Sequence, residues 1–225
     1  MKKQALFLLF LCLGIQLQAQ KILFIGNSLT YTNNLPIILE EIGTIYGKKI
    51  DTEMICFPNY AIIDHLNDGN IQQKIAVKNY DYVIIQQGPS SQEKGLKMLI
   101  NDGKKIAKFC SKYNSKLGYF MVWPSKRYYF TFDKVIKNHT KAAKRNNALL
   151  FPIGKYWKQY EKNKPNISLY GEDQFHPSKT GSFLAALTIY KTLFPSANLN
   201  LLTFKDIKKW VSNKKTLKEI TSIIK

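Results

Sequence analysis

Five short apolar runs alternate along the chain with longer stretches whose apolar positions recur every three or four residues. The runs are Ile22 to Ile25 before Gly26, Ile50 to Phe57 before Pro58, Tyr82 to Ile85 before Gln86-Gln87-Gly88-Pro89, Leu117 to Trp123 before Pro124, and Ala148 to Phe151 before Pro152. Each has the length of an ordinary strand and ends in a turn signal. The stretches between them read as helices over 35–46, 62–77, 92–113, 132–145 and 178–193. Leu35, Ile38, Leu39 and Ile42 share one helical face, and Ser178 is placed to cap the last of these helices. Residues 196–225 hold two further short, lysine-rich helical patterns.

Buried runs alternating with helices predict a parallel sheet covered on both faces. The expected fold is therefore α/β, a three-layer α/β/α sandwich around a doubly wound sheet of about five parallel strands. No internal repeat or low-complexity linker divides it. The expected organisation is a domain over 20–195 with residues 196–225 as a helical appendage packed on it.

The first nineteen residues stand apart. Lys2 and Lys3 precede an apolar run from Ala5 to Ile15, too short to span a membrane, and Ala19 offers a small residue for cleavage. This predicts a signal peptide, a mature chain from Gln20 and a secreted or periplasmic protein without a transmembrane span. An uncleaved anchor is the alternative. Cys56 and Cys110 then remain; free buried thiols are favoured over a disulfide.

Composition adds a charge asymmetry. The 225 residues carry 34 Lys+Arg against 15 Asp+Glu. Residues 20–100 are near neutral, whereas 101–225 hold 25 basic and 7 acidic groups. Lys134, Lys137, Lys141, Lys144 and Arg145 fall on one helical stripe. Such a stripe suits a polyanion or is simply solvated. No nucleic-acid-reading motif accompanies it, so no specific nucleic acid is expected. No metal-ligand spacing occurs and no cofactor motif is required.

In a doubly wound sheet, ligands sit beyond the carboxyl ends of strands. Directly after the first run comes Gly26-Asn27-Ser28-Leu29-Thr30. A serine at a strand-to-helix turn can face the crevice while nearby backbone N–H groups hold an oxyanion. Alone, Ser28 reads as readily as a turn or cap residue. The second segment is Asp173-Gln174-Phe175-His176-Pro177 before the last long helix. His176 has the chemistry to take a serine proton, and Asp173 to fix the imidazole tautomer. His65 and His139 lack such a partner and read as structural or exposed.

These two blocks, in this order and strand context, resemble the GDSL-type esterases, or SGNH hydrolases, across roughly residues 21–195. The resemblance implies a flavodoxin-like fold and a Ser28–His176–Asp173 triad. It also implies an oxyanion hole built from the Ser28 N–H, a backbone N–H after the second strand and an amide after the third. The chain departs from the family at three places. Asn27 stands where Asp is usual. The second block, Phe57 to Ala61, has no glycine, leaving Asn59 as the substitute donor because Asn tolerates left-handed backbone. The third block places Ser90 where the family has Asn, leaving Gln86 or Gln87 as the amide donor. Trp123, Tyr128 and Glu172 are candidate substrate-binding residues.

The activity this implies is hydrolysis of small acyl esters, O-acetyl groups on carbohydrate among them, through an acyl-enzyme. A lipid esterase is the variant within that chemistry. A non-catalytic, exported polyanion- or glycan-binding protein on the same fold is the alternative class.

Overall fold

The structure is a computed structural model and describes residues 19–225. The proposed signal peptide lies outside the described residues but for its last position. Five strands form one sheet: β1 (Gln20–Gly26), β2 (Ile50–Cys56), β3 (Tyr82–Ile85), β4 (Lys116–Phe120) and β5 (Leu149–Phe151). Their order is β2-β1-β3-β4-β5, and every pairing is parallel. The expected α/β sandwich is therefore the observed one.

Alternation along β1 sorts the core. Ile22 and Phe24 face one layer, Leu23 and Ile25 the other, and all four are buried. Full burial of such side chains is worth about 1.5–3 kcal/mol each, which is why this strand is apolar on both faces. The first layer holds α2 (Leu35–Ile45), α7 (Ile153–Lys162), α8 (Lys179–Leu193) and α10 (Lys214–Ile223). The second holds α3 (Ile62–Asp68), α4 (Asn70–Val77), α5 (Glu93–Lys112) and α6 (Phe132–Arg145), although the first residues of α6 also reach the first core. Ile207, Val211, Leu217, Ile220 and Ile223 of the C-terminal segment belong to the first core.

Beyond α7, which none of the predicted helices covers, two elements differ from the sequence reading. The helix predicted over 62–77 is broken into α3 and α4, because Gly69 adopts φ 75° and caps the first. The run predicted to Trp123 leaves the sheet at Phe120, and Met121, Val122 and Trp123 continue as buried, non-strand chain. Cys56 and Cys110 are both free thiols, with burial pushing each up to about 12.

The chain passes from β1 outward to β2 and then crosses back to β3. The gap between the carboxyl ends of β1 and β3 is the topological switch point. It is there that Ser28 and the Gln86–Ser91 segment emerge.

Candidate active site

Ser28 opens α1 (Ser28–Tyr31), a single turn capped by Asn27, whose side-chain oxygen accepts the Leu29 N–H at 3.1 Å. The turn is tied down from β3. Gln86 Oε1 accepts the Asn27 N–H at 2.9 Å and the Thr30 hydroxyl at 2.9 Å. Gly26 is required for this approach: a Cβ there would lie 2.5 Å from Gln86 Oε1 and 2.9 Å from Thr30 Oγ1. Asn27 Nδ2 also donates to the Tyr60 carbonyl at 2.9 Å, which fastens the β1 turn to the loop after β2. An aspartate has no N–H to give at that point. Asn27 is thus a donor between two loops as well as a cap.

Asp173 and His176 come from the other side, on the loop before α8. The Gly171 N–H donates to the His176 carbonyl at 2.8 Å, and Gln174 turns the chain at φ 58°. Asp173 Oδ1 accepts the Phe175 and His176 N–H groups at 3.0 and 2.9 Å. Its Oδ2 accepts the His176 Nδ1–H. The hydrogen bond from His176 holds the Asp173 carboxyl below its ordinary range. With that tautomer, His176 Nε2 accepts from the Ser28 hydroxyl at 2.8 Å. Three residues separated by up to 148 positions thus form one continuous chain of hydrogen bonds.

The loop between β4 and α6 supports this arrangement. Trp123 Nε1–H donates to the Phe175 carbonyl at 3.0 Å, and the Lys126 N–H donates to the Gln174 carbonyl at 2.9 Å. Trp123 itself stacks on Trp157, with centroids 3.6 Å apart.

Ser28 lines a pocket of about 480 Å³ together with Asn59, Gln87, Ser91 and Phe175. Asn59 takes the left-handed conformation at φ 63°. Gln87 Nε2 donates to Ser90 Oγ at 2.8 Å, which leaves its second N–H uncommitted. Gln86, expected as the other amide donor, does not line this pocket. Its oxygen is occupied by the β1 turn, and its Nε2 is sealed from solvent without a hydrogen-bond partner among the described residues. Gln86 is a brace for Ser28 rather than a donor toward substrate.

None of the three expected substrate contacts lines the Ser28 pocket. Trp123 is fully buried, because its ring is spent on the Trp157 stack and its N–H on the His176 loop. Glu172 faces a separate depression shared with Lys126 and Ser178, away from Ser28. Tyr128 is half-exposed and lines a larger groove beside the Ser28 pocket.

The remaining histidines are buried. His65 donates from Nε2 to the Gly26 carbonyl at 2.8 Å, just below the Ser28 turn, and desolvation lowers its pKa. His139 donates from Nδ1 to the Val135 carbonyl, and burial brings it down to about 4.

No protein-family model and no curated protein matches the chain. Solved structures do. A DUF4886 family protein from Bacteroides uniformis superposes with TM-score 0.77 at 14% identity, covering 92% of this chain and 93% of that one. A protein from Slackia heliotrinireducens assigned to the SGNH hydrolases gives 0.65 at 20% identity, over 78% of this chain and all of the other. An acetyl xylan esterase gives 0.60 at 17% identity, over 77% of this chain and all of the other. At these identities the likeness concerns architecture: the chain has the SGNH hydrolase fold.

Proposed function

We infer that the protein is a serine esterase. The observation that carries this reading is the hydrogen-bonded sequence Ser28 Oγ–His176 Nε2, at 2.8 Å, continuing from His176 Nδ1 to Asp173. A hydroxyl, an imidazole and a carboxylate in that relation form an activated nucleophile. Ser28 attacks the ester carbonyl while its proton passes to His176. Asp173 holds the imidazole in its tautomer and stabilises the imidazolium. The tetrahedral oxyanion receives the Ser28 N–H, the Asn59 N–H and the free N–H of Gln87. His176 returns the proton to the departing alcohol, then activates the water that releases the acid. Each oxyanion donor contributes on the order of a hundredfold to turnover.

The substrate proposed is a small acyl ester on carbohydrate, O-acetyl first. Support for a short acyl group comes from the shared fold of an acetyl xylan esterase. The domain is proposed to span 20–195, with 196–225 completing its first core. Among the described residues no helix is long and apolar enough to cross a membrane. The Lys2-Lys3 start and the apolar run to Ile15 support export, with cleavage after Ala19.

The test is hydrolysis of p-nitrophenyl acetate and butyrate by the purified protein, beside Ser28→Ala and His176→Ala. Both variants are expected to lose turnover by about 10⁴-fold or more while melting like the parent. Equal rates in all three proteins would refute the Ser–His mechanism. Failure of a fluorophosphonate to label Ser28 would refute it as well.

A further inference from the structure

Beside the Ser28 pocket runs a groove of about 1100 Å³. The two share Pro89, Ser91, Gln92 and Phe175, so the groove adjoins the pocket that Ser28 lines. Its far wall is α6 and the turn before it. Arg127, Lys134, Lys137 and Lys141 all line it, all are exposed, and none forms an ion pair among the described residues. Elsewhere on the chain several lysines are paired, such as Lys74 and Lys78 with Glu53 and Lys158 with Asp133. Among the described residues, the only carboxylates on the groove wall are Glu93 and Asp173, and Asp173 is engaged by His176. The groove therefore carries excess positive charge.

The spacing of the cations is regular. Steps of three and four residues put Lys134, Lys137 and Lys141 on one side of α6. At 1.5 Å per residue they extend over about 10 Å along the wall. Tyr128 and Phe130 stand at the mouth, 52% and 82% exposed, and pack edge to face. The Arg127 guanidinium lies over the Tyr128 ring, 5.6 Å from its centroid. That stacking orients a planar fork suited to an oxyanion.

We propose that this groove binds an anionic carbohydrate chain, its carboxylate or sulfate groups read by Arg127, Lys134, Lys137 and Lys141 and its sugar faces by Tyr128 and Phe130. The esterase reading supplies only what happens at the end of the groove, where an acyl group on that chain reaches Ser28. A concave channel with charges in a line suits a flexible linear polyanion. An anionic membrane calls for a flat or convex basic face instead, which makes vesicle binding the competing result.

The experiment is titration calorimetry of the wild-type protein with a short, unesterified oligogalacturonate, so that binding is read apart from hydrolysis. A sulfated oligosaccharide of equal length distinguishes the two anions. Binding at low salt is expected to be at least about tenfold tighter than for a neutral xylo-oligosaccharide, and to weaken at about 0.2 M salt as screening sets in. Lys134→Gln/Lys137→Gln/Lys141→Gln is expected to lose about tenfold or more with an unchanged melting curve. Lys208→Gln/Lys214→Gln/Lys218→Gln removes the same charge from exposed positions near the C-terminus and is expected to bind as the parent does. Equal binding of acidic and neutral chains, equal losses in both triple variants, or uptake onto phosphatidylglycerol vesicles without oligosaccharide binding would each overturn the proposal. None of these results bears on whether Ser28 is a nucleophile, which the p-nitrophenyl ester assay reads separately.

Discussion

The two banks of the Ser28 crevice are built differently. On the β1–β3 side, Asn27, Thr30, Gln86, Gln87 and Ser90 are all buried and joined by side-chain hydrogen bonds. On the α8 side, His176 and Asp173 keep 35% and 52% of their side-chain surface exposed, and the loop is held through its backbone carbonyls and through Asp173 Oδ1, which accepts the Phe175 and His176 N–H groups. The first bank is part of the interior, so removing one of its hydrogen-bonding partners leaves another buried group unpaired, at a cost to stability. The second is a surface loop whose shape survives a replacement that keeps the Asp173 Oδ1 acceptor. Damage to the first should reach stability and activity together, whereas damage to the second should reach activity alone.

The sharpest test is Asp173→Asn. Its amide keeps the shape but not the charge that fixes the His176 tautomer, and turnover is expected to fall by about 10⁴-fold. The melting temperature should move by no more than about 2 °C, since exposed sites contribute little. A large fall in melting temperature would erase the distinction between the banks. Next comes Gln86→Leu, which leaves the buried Asn27 N–H and Thr30 hydroxyl without their acceptor. At roughly 1–3 kcal/mol for each orphaned group, the loss should be on the order of 3 kcal/mol, or about 6–12 °C. Hydrolysis should drop as well. Unchanged stability by urea titration would show that Gln86 is not a brace.

The smallest effect at neutral pH belongs to His139→Leu, which sharpens the same contrast through a buried histidine. His139 titrates near 4 when folded because burial disfavours its cation. An unfolded histidine takes its proton near 6.5, so between those values the unfolded chain binds more protons and stability falls with falling pH. The parent should lose on the order of 3 kcal/mol through this group between pH 7 and pH 4. The leucine variant should show a shallower decline in thermal melts over that range, and an identical decline would remove His139 from the account.

Much of this was legible in the sequence, for identifiable reasons. The strands announced themselves because a sheet covered on both faces needs unbroken apolar runs, as in Ile22–Ile25. The order of the Ser28 and Asp173–His176 blocks showed where to look, because each sits just before a helix and Ser28 directly follows the carboxyl end of β1. The choice between Gln86 and Gln87 was not legible. Neighbouring residues leaving a strand point to opposite sides, and both are buried, so only the fold tells which reaches the crevice. Trp123 read as a crevice wall because its partner Trp157 is far along the chain and no local pattern links them. The helix α7 went unread although Ile153, Trp157 and Tyr160 repeat at helical spacing, because its start directly follows Pro152 and includes Gly154.

The Trp123–Trp157 stack also gives the molecule a native optical signal. Two indoles 3.6 Å apart and nearly parallel, 10° between planes, must share their electronic excitation. One of them holds the carbonyl of Phe175, the residue next to His176. Any shift of that loop will therefore alter the near-ultraviolet dichroism and emission of the pair, with no label attached.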